Sequence, residues 1–151
     1  MADLNEATGS TTDSGASGAN RGSRSTGYTS VPVTATYDPA NDSWLWNPPA
    51  PNVVELKVPP GGNPNFVVTI TIDAVGQTVS QAQIDWTGAR PPALPSAITV
   101  PSPEAPNQLR FGVVNDKTGG EPQSYGFEVS GTLANGTPFR SPDPEVVLDP
   151  P

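Results

Sequence analysis

Residues 66–73 read Phe-Val-Val-Thr-Ile-Thr-Ile-Asp, and this stretch decides the fold class. Successive side chains on a strand point to opposite faces. Phe66, Val68, Ile70 and Ile72 therefore share one face, and Val67, Thr69, Thr71 and Asp73 the other. All but Asp73 are β-branched or aromatic, the side chains that suit a pleated, half-buried surface.

The same period of two continues on both sides. Upstream, Val31, Val33, Ala35 and Tyr37 alternate with Pro32, Thr34 and Thr36. Pro32 has no backbone donor, which places this strand at a sheet edge or puts Pro32 near the strand's start. A short segment at 43–46 ends at the Asn-Pro-Pro-Ala-Pro break of 47–51. In residues 53–58, Val54, Leu56 and Val58 share one face and Glu55 and Lys57 the other; Pro-Pro-Gly-Gly-Asn-Pro at 59–64 then turns the chain. Downstream, Ala82, Ile84 and Trp86 alternate with Gln83 and Asp85, before a proline-rich loop at 90–95. Residues 97–100 read as a short strand, and Leu109, Phe111 and Val113 carry another. Tyr125, Phe127 and Val129 begin a long strand that reaches Leu133, and Asn135-Gly136 beyond it is a strong hairpin signal. Phe139 and residues 146–148 close the chain. No amphipathic helical stretch and no internal repeat is present.

About seven to nine short strands divided by turn signals predict an all-β, antiparallel, immunoglobulin-like sandwich over residues 28–151. Trp86 occupies the place of that fold's core tryptophan, and Tyr125 that of its tyrosine corner. A jelly roll or other Greek-key barrel is the alternative. Residues 1–27 are mostly Gly, Ser, Thr, Ala, Asn and Asp with Leu4 as the lone large aliphatic, a composition that predicts a disordered tail.

Composition narrows the chemistry. Twenty prolines and 15 glycines in 151 residues leave no room for long helices. The net charge is −8, and the seven basic residues are scattered, so neither nucleic acid nor an anionic membrane surface is an expected partner. Cysteine and histidine are both absent. That removes disulfides, thiolate nucleophiles, most transition-metal sites and the commonest general base. The first residues carry no basic, apolar export signal, and nothing approaches a membrane-spanning apolar run. A cytoplasmic location is the expectation, with signal-less export left open.

The last eleven residues read Ser141-Pro-Asp-Pro-Glu-Val-Val-Leu-Asp-Pro-Pro151, behind a strand reading Tyr-Gly-Phe-Glu-Val-Ser-Gly-Thr-Leu at 125–133. This ending resembles the bacterial DP-EP family, small β-sandwich proteins without an assigned activity, over roughly residues 44–151. The resemblance implies a sandwich and a bacterial source, and it carries over no catalytic or binding residue.

Four constellations deserve a chemical reading. Trp44 and Trp46 flank Leu45, so in an extended segment both indoles leave the same face about 7 Å apart. Exposed, they would stack on sugar rings or a proline-rich peptide; otherwise they plug the core, the usual place for large aromatics. Asp38, Asn41 and Asp42 gather oxygens in one short loop, which suits either calcium or Asx-turns that bond the local backbone. Fifteen acids guarantee that some pair lies at glycosidase spacing, but no motif selects one. Finally, the apolar C-terminal segment 145–148 either completes its own sheet or pairs with another chain, and prolines 32, 59, 60, 101, 103 and 106 look like edge blockers. The sequence therefore points to a non-enzymatic binding or assembly module that engages a protein partner, or a second copy, through loops or an edge strand. A carbohydrate-binding module using exposed Trp44 and Trp46, assisted by calcium, is the alternative, and no other cofactor is expected.

Overall fold

The computed structural model describes residues 27–48, 53–142 and 144–151. The expected tail falls at 1–26, outside the described residues. Gly27, the last residue assigned to that tail, is anchored: Asn65 Nδ2 donates to its carbonyl at 3.0 Å. The described chain is all β. Its strands are β1 (Thr29–Asp38), β2 (Ser43–Asn47), β3 (Val53–Lys57), β4 (Asn65–Ala74), β5 (Val79–Trp86), β6 (Gln108–Val114), β7 (Gln123–Leu133), β8 (Pro138–Arg140) and β9 (Glu145–Asp149). No helix among the described residues is long and apolar enough to cross a membrane.

Two sheets form a sandwich. One runs β2-β1-β4-β6, the other β3-β9-β7-β5 with β8 also pairing β7. The apolar row that opened the sequence reading is the centre of the core: Phe66, Val68, Ile70 and Ile72 of β4 are all buried against Phe127, Val129, Val146 and Leu148 from the other sheet. Burying such a row is the dominant favourable term in folding. Trp86 joins the sheets at one side. Its ring packs edge-on against Phe111 at 5.2 Å and at a tilt against Phe127 at 5.4 Å, and it is partly rather than fully buried.

The all-antiparallel expectation is corrected. β1 pairs β4 in parallel over nine positions, from Thr29↔Phe66 to Tyr37↔Ala74, and β3 pairs β9 in parallel from Val53↔Glu145 to Lys57↔Asp149. A parallel pair needs a crossover. Here the chain supplies it by visiting the second sheet at β3 between β1 and β4. Alternation is the same for half-buried strands of either sense, so sequence pattern could not tell the two apart. β1 is also not an edge strand by sheet order, but β2 pairs it only from Thr34 onward. Pro32 thus sits where β1 has β4 as its single partner, which is where a missing donor is tolerated.

Residues 97–100 form no strand. The proline-rich segment instead lies over the outer face of the first sheet. Leu94 and Val100 sit directly above Gly112, whose strand partner is Val67. This cover buries Val67 although it faces away from the core. Proline fixes the backbone of such a segment without needing ladder bonds.

The Asn135-Gly136 hairpin forms as expected, with Gly136 at φ +91° and its N–H donating to the Leu133 carbonyl at 2.9 Å. After β8 the chain steps back through Ser141 and Pro144 and still serves β7. Ser141 Oγ accepts from the Val129 N–H at 2.8 Å, and the Pro144 carbonyl accepts from the Phe127 N–H at 3.0 Å. β9 then inserts between β3 and β7, so the C-terminal strand completes its own sheet.

Gly131 marks the tightest passage in the fold. A Cβ there would lie 2.1 Å from the Gln81 carbonyl oxygen and 2.7 Å from the Phe139 ring. Gly131→Ala must push β5 away from β7 and is expected to cost stability at the upper end of about 1–3 kcal/mol. Gly119→Ala meets nothing within 4 Å and should stay within about 0.5 kcal/mol of wild type. Urea unfolding midpoints of the two variants measure the difference.

Candidate functional site

The structure sends Trp44 and Trp46 inward. β2 pairs Trp44 with Tyr37 and Trp46 with Ala35, so both indoles share the inner face and Leu45 faces solvent at 69% exposure. Trp46 is 4% exposed and meets Phe127 edge-on at 6.4 Å. Trp44, half-buried, stacks on Tyr37 at 4.6 Å and on Trp46 at 6.1 Å. Both indole N–H groups are buried with no hydrogen-bond partner. Of the two readings of the pair, the structure supports the core one: the pair closes one corner of the core, because β2 has an inner face to fill and large aromatic rings bury the most surface there.

The loop of Asp38, Asn41 and Asp42 turns on its own side chains. Asp38 accepts from the Ala40 N–H at 3.1 Å and from Asn41 Nδ2 at 2.7 Å. Asp42, at φ +50°, accepts from the Tyr37 hydroxyl at 3.4 Å. Burial, with Asp42 alongside, raises the Tyr37 pKa. Asp38 thus forms the Asx-turn of its own loop. Among the described residues no group of three or more His, Cys, Asp or Glu is placed to hold a metal ion.

A polar cluster that the sequence reading passed over lies on the outer face of the second sheet. β5 and β7 pair Asp85 with Glu128 and Gln83 with Ser130, and β8 brings Arg140 opposite Ser130. Ser130 Oγ donates to Asp85 at 2.7 Å, Gln83 Nε2 donates to Asp85 at 2.8 Å, and Arg140 bridges Asp85 and Glu128. The Ser130 hydroxyl does most to hold the Asp85 carboxyl below its ordinary range, with Gln83 and Arg140 helping against desolvation. Glu128 chiefly raises Arg140. Beside the cluster runs an open groove of about 530 Å³ that includes Tyr37, Asp42, Gln81, Thr132 and Phe139. The signal in the sequence was the in-phase polar row Gln81, Gln83 and Asp85.

The third region is the edge at β3. By sheet order β3 has one neighbour, β9. The buried Asn115 settles which way β3 turns: its Nδ2 donates to the Leu56 carbonyl at 3.1 Å and to the Asp149 carbonyl at 2.9 Å. One nitrogen reaches both oxygens only if Leu56 points its backbone at β9. The backbone groups of Glu55 and Lys57 then point away from β9, along the open side. Just past Lys57, a pocket of about 680 Å³ is walled by Val58, Pro59, Pro60, Phe66, Pro150 and Pro151, with Lys57 and Asp149 at its rim. Pro59 and Pro60 read in the sequence as edge blockers; that they converge with Pro150 and Pro151 into a cavity depended on the parallel β3–β9 register, which no local pattern announced.

No family model and no curated protein matches this chain.

The Asp85 cluster makes a titration prediction. A carboxyl whose folded pKa is depressed adds stability above its unfolded pKa, and that stability is lost as pH falls through the folded value. Asp85→Asn should therefore unfold at lower urea than wild type near neutrality, and the gap should shrink as pH falls through the ordinary carboxylate range and below it. A gap independent of pH would show that Asp85 contributes no titrating interaction.

Proposed function

We propose that the domain is a non-enzymatic binding module that engages another protein through a sheet edge. The observation that carries this is the β3 edge, whose outward backbone groups have no strand beside them among the described residues and which ends at an apolar pocket. An unpaired edge is a ready template for another chain. Prolines flank the five-residue strand and limit how long a pairing can grow.

Two further features support the reading. The two acids that converge, Asp85 and Glu128, do so on an arginine, and Asp85 is shifted down rather than up. A general acid needs the opposite shift. Carbohydrate stacking needs an aromatic face open to solvent, whereas Trp46 lies within the core. The resemblance of the C-terminal segment to the DP-EP family lends no residue to either reading.

The test is a parallel screen of the full-length chain against a glycan array and, by affinity capture with mass spectrometry, against bacterial lysate. The expected result is saturable binding of a protein and no glycan above background. A glycan bound saturably, and lost in Trp44→Ala, would replace this proposal with the carbohydrate reading.

A further inference from the structure

We infer that β3 and the proline-walled pocket form one site for an extended, net-basic peptide segment that carries a large apolar side chain. The inference rests on the protein-binding reading above and names the chemistry of the partner. Strand addition uses main-chain hydrogen bonds for affinity and side-chain pockets for selectivity. Both parts are present and contiguous here. Glu55 and Lys57 offer outward backbone groups, and Lys57 also belongs to the pocket rim, so a segment laid along β3 delivers its next side chain to the cavity.

The cavity is prepared for such a side chain. Pro59, Pro60, Pro150 and Pro151 have no rotamer freedom to lose, so its walls are set before a ligand arrives. Val58 and Phe66 supply its remaining apolar lining.

Charge selects the partner. Glu55 and Lys57 lie 3.6 Å apart on the exposed face of β3, and Asp149 stands at the rim, so two acids face one base. The whole chain carries −8. A net-basic segment is attracted and an acidic one repelled. The same charge disfavours a second copy as the occupant. A five-residue slot spans only about 17 Å, too little strand to hold together two acidic chains that bring prolines to the same edge.

The experiment pans a phage library of random short peptides against the full-length chain. Enriched peptides are then titrated against wild type, Glu55→Pro and Pro60→Trp. Glu55→Pro removes an outward N–H from the edge, and Pro60→Trp places a large side chain in the pocket lining, outside the β3 strand. Thermal melts check folding; if Glu55→Pro does not fold, Pro60→Trp decides. The expected result is enrichment of basic sequences with one large apolar residue, each weakened at least roughly tenfold by the folded variants. No enrichment, enriched peptides that bind the variants as wild type, or self-association through β3 in place of peptide binding would overturn the inference. A captured protein that binds wild type and both variants equally would also overturn it, yet leave the broader protein-binding proposal standing.

Discussion

The side-chain amide of Asn115 ties the two sheets together at one end of the sandwich. It follows β6, the last strand of the first sheet, and donates to backbone carbonyls of β3 and β9 in the second. Its own N–H donates to the Pro64 carbonyl at 2.8 Å, just before β4, and its side-chain oxygen accepts from the Lys117 N–H at 3.3 Å. A buried amide is costly to leave unpaired, so this residue fixes the relative positions of four chain segments. The junction marks which side of β3 faces β9, and it lies at the end of the strand that leads into the adjoining pocket.

At the opposite corner the core is closed by aromatic rings. Tyr37, Trp44, Trp46 and Phe139 contact one another in a chain that leads inward to Phe127 and on to Trp86 and Phe111. One end of the molecule is thus sealed by rings packed on rings. The other is framed by prolines around a cavity. The contrast is the physical ground for proposing a recognition surface at β3 and not at the tryptophans: the ring cluster uses its faces internally.

Much of this architecture was legible in the residues. Phe66, Val68, Ile70 and Ile72 announced an inner face, Asn135-Gly136 announced a hairpin, and the expected strands correspond to the observed ones apart from 97–100. What the residues could not announce was long-range. Alternation has the same period in parallel and antiparallel strands, so the β1–β4 and β3–β9 pairings were hidden. Residues 97–100 have strand-like composition, but the outer surface of Val67 needed a cover and the prolines around them precluded a ladder. The Trp44-Leu45-Trp46 spacing correctly put the indoles on one face, yet spacing alone cannot say whether that face is wet. Asn115 carries no pattern signal in the sequence; its role exists only once three distant backbones converge on it. The pocket beyond Lys57 was hidden for the same reason.

β3 is an edge strand whose hydrogen-bonding side is marked by Asn115, and residue-resolved amide hydrogen exchange of the free protein tests this directly. The N–H groups of Val54 and Leu56 face β9 and should exchange slowly, while those of Glu55 and Lys57 face the open side and should exchange quickly. Slow exchange at Glu55 and Lys57, or the reverse alternation, would contradict the account, because β3 would then be covered or turned the other way.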